Sequence, residues 1–172
     1  GWWQAQLDHL FTWQASQPTD VALTSAASPP WHPVMQALGP TIIRHNLPKQ
    51  PFDDLLSAFV QDQSTSRYDS FVELNDYCRR SANPVGRLVL GLARAADDPE
   101  NLRLSDEICT GLQLANFCQD MQRDAAMGRI YAPRELWGRH GVDESMLMNA
   151  RVTPQLRQML REFVQVARGR LD

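Results

Sequence analysis

Gln113–Leu114–Ala115–Asn116–Phe117–Cys118–Gln119–Asp120–Met121–Gln122–Arg123–Asp124, closed by Gly128–Arg129–Ile130–Tyr131–Ala132–Pro133, is the segment around which the rest of the chain can be arranged. At about 3.6 residues per turn, Gln113, Asn116, Asp120 and Asp124 fall on one polar stripe of a helix whose other positions are largely apolar. The stripe has two readings. An amide and two carboxylates one turn apart are hard oxygen donors, the kind Mg²⁺ takes when it holds a substrate phosphate through one or two carboxylates and waters. The same spacing also serves a solvated face on which Asp120 pairs with Arg123. Spacing alone does not choose between them.

Working outward, every other segment is helical in period or a loop. Trp2, Trp3, Leu7, Leu10, Phe11 and Gln14 recur at helical spacing without an N-cap before them, as in a helix entered part-way. Residues 17–30, rich in Ser, Thr, Ala and Pro, read as a loop, and the apolar helical period resumes from Trp31 to Asn46. A helix is expected from Phe52, announced by Pro51 and the early acids Asp53 and Asp54. The next runs from near Tyr68 to about Arg94, kinked at Pro84, which lacks an N–H and crowds the preceding turn. One helix then spans about Pro99 to Ala126, carrying Leu102, Ile108, Leu112, Leu114 and Phe117. Pro133 opens a short helix, and Thr153–Pro154 opens a last one that reaches Asp172. No run alternates with period two and no repeat is visible, so the fold class is all-α. Residues 1–172 form one helical domain, and both ends are expected to continue in a longer chain.

Composition narrows the function classes. The chain has 172 residues, 43% hydrophobic and 22% charged, enough to bury a proper core. Seventeen basic against twenty acidic residues give a net charge of -3, which leaves no electrostatic footprint for nucleic acid. Cys78, Cys109 and Cys118 are odd in number and lack metal or redox spacing, in keeping with free thiols in the cytoplasm. No apolar run reaches membrane-spanning length, so membrane contact would be peripheral, at the inner face. His9, His32, His45 and His140 lack mutual metal spacing, and no nucleotide-binding glycine loop occurs. Met146–Leu147–Met148 reads as core or an apolar rim.

The run from Asn116 to Pro133 resembles the second aspartate-rich motif of the squalene/phytoene synthase family: an amide, two aspartates four apart, then a Gly-Arg-x-Tyr-x-Pro close. Upstream, Tyr77–Cys78–Arg79–Arg80–Ser81–Ala82–Asn83–Pro84–Val85–Gly86 resembles the same family's Tyr-Cys helix with its Val-Gly turn. The similarity passes through Asp62, Tyr68 and Leu74 and covers about Leu47 to Pro133. It implies an isoprenoid-synthase-type bundle around a central cavity. It also implies a transferase that converts farnesyl diphosphate or presqualene diphosphate to squalene or hydroxysqualene for hopanoids and other triterpenes.

Carried over position by position, the resemblance makes Asn116, Asp120 and Asp124 ligands of Mg²⁺, and Tyr77, Asp120 and Asp124 catalytic. Gln113, Ser81, Ala82, Asn83, Gly86, Gln119 and Arg123 are then substrate-binding positions. Ala82 and Gly86 would leave room for the isoprenoid chain; a core tyrosine at 77 and a helix-packing glycine at 86 are the bland readings. Ser81 and Asn83 replace apolar residues of the family and would hold the water that ends the reaction; alternatively they bond back to the carbonyls near the Pro84 kink. Gln119 stands where many relatives carry Arg.

The family's first aspartate-rich motif would lie upstream of Gly1, so the 172-residue piece by itself is expected to be inactive. Asp53–Asp54 and Asp97–Asp98 are read as caps or dipole partners. Phytoene synthase is the neighbouring reading, and a non-catalytic family member acting in assembly is the reading from another class. Partner enzymes of the same pathway are compatible with each.

Overall fold

The computed structural model describes residues 1–15, 32–149 and 152–172, and among these every regular element is a helix. In chain order they are α1 (Trp2–Ala15), α2 (Pro33–His45), α3 (Gln50–Gln61), α4 (Phe71–Ser81), α5 (Asn83–Leu92), α6 (Pro99–Gln119), α7 (Met121–Ala126), α8 (Arg134–His140), α9 (Glu144–Met148) and α10 (Pro154–Arg168). The loop expected over 17–30, and Trp31, lie outside the described residues.

Local chemistry accounts for most of the boundaries. Ser70, Asp98, Asp143 and Thr153 each accept a hydrogen bond from a backbone N–H in the first turn of α4, α6, α9 and α10. That satisfies donors a helix start otherwise leaves open, a contribution of about 1 kcal/mol each. α4 therefore starts at Phe71, three residues later than Tyr68, because the cap is Ser70. Asp53 and Asp54 are not caps: Asp53 pairs with Lys49 at 2.7 Å and Asp54 accepts from Gln50 Nε2. α10 ends at Arg168 with Gly169 as its cap, short of Asp172.

Two expected continuous helices are broken. Pro84 has no N–H to give the Arg80 carbonyl, and Ala82 leaves helical geometry (φ -120°, ψ -51°), so the kink becomes a separation of α4 from α5. The helix expected from Pro99 to Ala126 ends at Gln119. Asp120 (φ -91°, ψ 2°) caps α6 and starts α7, while the bond from Asp124 N–H to Asp120 O (2.8 Å) keeps the two aspartates one turn apart. Asp is a poor helix-interior residue, and here its carboxylate makes no cap but is held by Asn116 and Arg123.

Two apolar clusters hold the helices together. The larger joins Leu74, Tyr77 and Cys78 of α4 to Leu114 and Phe117 of α6, Leu136 and Trp137 of α8, and Leu156, Met159 and Phe163 of α10. The smaller joins Leu10 to Met35, Ile42 and Leu47. Fully buried side chains such as Leu74, Leu114, Leu136 and Phe163 contribute roughly 1.5–3 kcal/mol each. Leu147 belongs to the larger core and Met148 is exposed, so the Met-rich stretch is partly core and partly rim.

α5 lies against α6 at Gly86. A Cβ there would sit 2.3 Å from Ser105 Oγ and 2.6 Å from Cys109 Sγ, so the room at this glycine is taken by the neighbouring helix. Gly86→Ala forces both side chains to rotate and is expected to lower unfolding stability by about 1–3 kcal/mol. Gly138→Ala, whose Cβ would meet nothing within 4 Å, serves as the control. Denaturant unfolding checks the pair, and equal stabilities would show that α5 and α6 are not in this contact.

Candidate functional site

The polar stripe sits where α6 gives way to α7. Asn116 donates through Nδ2 to Asp120 Oδ2 at 2.7 Å, which leaves the amide oxygen of Asn116 without a donor of its own. Arg123 donates to the same Asp120 oxygen at 2.6 Å and stays 3.8 Å from Asp124 Oδ1. The Asp120–Arg123 pair of the solvated reading is thus present. With Arg123 67% exposed it is worth about 0–1 kcal/mol.

Asp124 is different. It is 7% exposed, and its carboxyl receives no hydrogen bond among the described residues. Burial pushes its carboxyl above the usual carboxylate range and the nearby Asp120 charge adds to this, against the pull of Arg123 and Arg129. Two carboxylates thus stand one turn apart, one half-buried and hydrogen-bonded, the other buried.

Arg129 connects this pair to the tyrosines. Gly128, at φ 79°, makes the left-handed turn after α7 that a side chain would resist. Arg129 then returns its backbone N–H to Asp124 O at 2.8 Å. Its guanidinium donates to the Tyr131 hydroxyl (3.3 Å) and the Asp62 carbonyl (2.7 Å), and lies 3.4 Å from the Asp62 carboxylate. Tyr77 O–H donates to that carboxylate at 2.9 Å.

Burial and then the Asp62 contact push the Tyr77 phenol well above its ordinary value, so it stays protonated and donating at neutral pH. Tyr131 stacks on Phe117 with centroids 4.0 Å apart and planes 7° from parallel, and lies about 6 Å from Tyr77 and Tyr68. The segment is pinned along residues 66–71 by Ile130 N–H to Ser66 O, Arg134 N–H to Tyr68 O and Phe71 N–H to Glu135 Oε1.

The other singled-out residues have distinct surroundings. Gln113 is half-buried on the stripe, and Gln119 is exposed. Ala82 is the junction of α4 and α5. Asn83 is buried and accepts from Thr110 Oγ1 of α6 at 2.9 Å, which is neither of the bonds weighed for it from the sequence. The Ser81 hydroxyl is buried without a partner, so it does not bond back to the Tyr77 carbonyl. The cysteines are free, and burial lifts Cys78 to about 12 and Cys118 to about 11, which rules out thiolate chemistry near neutral pH.

Sequence reasoning missed Asp62, Arg129 and Tyr131 as a connected set. Their contacts span up to 67 residues, and only the Gly-Arg-x-Tyr pattern hinted at them. It also missed the outer face of α6, where Leu104, Ile108 and Leu112 are 44%, 50% and 58% exposed. These three continue at four-residue spacing into Asn116 and Asp120.

Among the described residues no group of three or more His, Cys, Asp and Glu side chains could hold a metal ion. What the chain presents is two carboxylates and one amide oxygen. That set fits Mg²⁺ if the remaining positions are filled by phosphate oxygens and water. No helix among the described residues is long and apolar enough to cross a membrane.

Comparison with known proteins shows the family and the fold. The squalene/phytoene synthase family model matches residues 1–172. Phytoene synthase of Arthrospira platensis is 32% identical over 96% of the chain and 53% of its own length. Hydroxysqualene synthase of Sinorhizobium fredii is 36% identical over 70% of the chain and 41% of its own length. The crystal structure of squalene synthase HpnC from Alicyclobacillus acidocaldarius superimposes with a TM-score of 0.82 at 38% identity, covering 97% of this chain and 57% of that one. The chain spans about half the length of the curated relatives it matches.

Two expectations follow from the site. The Asp124 carboxyl ionises less readily folded than unfolded, so the folded chain binds more protons between the two values, and stability falls as pH rises through that window. In acid-to-neutral unfolding titrations without divalent cation, wild type is expected to lose more stability than Asp124→Asn; equal slopes would contradict the burial. Separately, Asn83→Ala orphans the Thr110 hydroxyl and should cost about 1–3 kcal/mol, whereas Ser81→Ala removes an already unpaired hydroxyl and should be neutral or stabilising. Calorimetric melting checks both, and a destabilised Ser81→Ala would reveal a partner for that hydroxyl.

Proposed function

The chain belongs to the squalene/phytoene synthase family and has its all-α isoprenoid-synthase fold, and from this we propose that the whole protein is a Mg²⁺-dependent enzyme converting farnesyl diphosphate or presqualene diphosphate to squalene or hydroxysqualene. The observation that carries this reading is the outer face of α6. Leu104, Ile108 and Leu112 form an exposed apolar track that ends at Asn116 and Asp120. From Leu104 to Asn116 the helix rises about 18 Å. A surface with a long apolar body and an oxygen-donor head matches an amphiphile of that shape: a hydrocarbon chain of several isoprene units ending in diphosphate. Val85 and Val89 of the adjoining α5 are also exposed and extend the apolar surface.

Held by Asp120, Asp124 and the Asn116 amide oxygen, Mg²⁺ would supply the positive charge that stabilises the departing diphosphate. The protein's own groups do the rest. Arg123 holds the Asp120 carboxylate, and Arg129, fixed on Asp62 and Tyr131, adds positive charge that Asp124 feels. The stacked Phe117–Tyr131 pair, with the buried Tyr77 and Tyr68 behind it, would stabilise carbocation charge brought to the half-buried edge at Tyr131. Tyr77, kept neutral and bonded to Asp62, holds its ring in place without becoming an anion that the cation would alkylate. The Ser81 hydroxyl, one turn from Tyr77, is buried and unpaired, and its surroundings would have to open for it to hold the one ordered water that an alcohol-forming enzyme needs.

One observation favours a second reading: the phytoene synthase relative aligns over nearly all of this chain, farther than the hydroxysqualene synthase does. Product analysis with geranylgeranyl diphosphate separates the two, since only the second reading yields a forty-carbon product.

Asp120→Asn and Asp124→Asn in the full-length protein are expected to lower turnover about a hundredfold or more at saturating Mg²⁺, with melting temperatures near wild type. Mg²⁺ should raise the melting temperature of wild type and not that of Asp124→Asn. Wild-type turnover in either variant removes the metal role.

A further inference from the structure

The far end of α6 closes on a cavity. It has a volume of about 570 Å³ and lies among the end of α2, the start of α3, the end of α5 and the start of α6. Leu102 in its wall and Asn116 on the stripe are fourteen residues apart on α6, about 21 Å by helical rise, so the two sites are separate.

Two features set this cavity apart. First, both non-glycine residues with left-handed backbone among the described residues line it: Asn46 at φ 47° and Arg94 at φ 57°. Each closes its helix, with Leu47 N–H returning to Ile42 O at 3.0 Å and Ala95 N–H to Leu90 O at 2.9 Å. This helix-closing position favours glycine and tolerates asparagine. A long side chain there costs about 1 kcal/mol or more, and such residues recur at ligand clamps.

Second, the guanidinium groups of Arg44 and Arg94 are exposed and make no hydrogen bond or ion pair among the described residues. Arg87 differs, since Asp106 holds it at 3.0 and 2.6 Å through Nε and NH2. Against Asp97, the two free arginines leave the wall net positive. The carbonyl ends of α2 and α5 and the N–H ends of α3 and α6 meet here and largely offset one another, so the guanidinium groups set the sign. Pro48, Pro51 and Leu102 supply an apolar floor.

We propose that this cavity binds a phosphate or diphosphate group, held by the Arg44 and Arg94 guanidiniums, with its organic part on Pro48, Pro51 and Leu102. Planar guanidiniums with free donors take phosphate oxygens in pairs, the strongest arrangement open to a surface arginine. Free diphosphate and an anionic lipid headgroup share this chemistry.

The test uses the full chain without divalent cation, which leaves the acidic stripe unable to recruit phosphate. It is titrated with inorganic diphosphate by calorimetry and sedimented with phosphatidylcholine vesicles with and without phosphatidic acid. Binding is expected in at least one arm, the diphosphate arm marking a free anion and the phosphatidic acid arm a headgroup. The combined Arg44→Gln and Arg94→Gly substitutions are expected to weaken it about tenfold or more. Asp120→Asn is expected to leave it unchanged. Because glycine suits the backbone at 94, the Arg94→Gly melting temperature should hold or rise, which separates lost binding from lost folding. The proposal is overturned if neither probe binds, if the double variant binds as wild type does, or if Asp120→Asn abolishes the binding.

Discussion

A half-buried carboxylate that must be matched fixes the geometry of this protein. Asp62, at the end of α3, accepts the Tyr77 hydroxyl of α4 and faces the Arg129 guanidinium, which also bonds the Asp62 carbonyl. Leaving such a charge unpaired out of water costs several kcal/mol, so the three segments are held together more firmly than apolar packing alone would require. Arg129 passes the constraint on through Tyr131, whose ring lies flat on Phe117 of α6. The end of α6, where Asn116 and Asp120 stand, is thus located by a chain of contacts that begins on α3.

α6 itself has two apolar faces. Leu114 and Phe117 are buried against the core, while Leu104, Ile108 and Leu112 on the other side meet solvent. A helix apolar on both faces belongs inside a larger protein or against an apolar ligand, and a contiguous exposed patch of this kind marks an interaction surface. The oxygen donors at the end of the same face suit the partner proposed above, an apolar body with a charged head. The break at Asp120 contributes, because it turns Asp124 inward, where it is 7% exposed, while leaving Asp120 and Asn116 accessible.

Much of this was legible in the residues. The helical period of the chain, the family resemblance and the aspartate pair a turn apart needed only local spacing, and local spacing is what a helix preserves. What local spacing could not supply was long-range or two-sided. The Asp62–Tyr77–Arg129 set joins positions far apart in sequence, and nothing in an isolated aspartate at the end of a helix announces two partners. Ile108 and Leu112 share the helical apolar period of Leu114 and Phe117, and only the packing shows that nothing among the described residues covers them. Gly86 and Asn83 each carry a ligand reading and a structural one in the sequence; Gly86 lies against Ser105 and Cys109, and Asn83 bonds Thr110, so each faces its neighbour on α6. The helix breaks were half legible: Pro84 announced itself, whereas Asp120 looked like one more member of a stripe.

The most direct measurement is a crystal structure of the full-length protein with Mn²⁺ in place of Mg²⁺ and a non-hydrolysable thio analogue of farnesyl diphosphate. The expected result is an anomalous peak at about 2.1 Å from oxygens of Asp120 and Asp124, with the hydrocarbon lying along Leu104, Ile108 and Leu112. A metal bound without these two carboxylates, or a hydrocarbon that leaves the outer face of α6 bare, would contradict it.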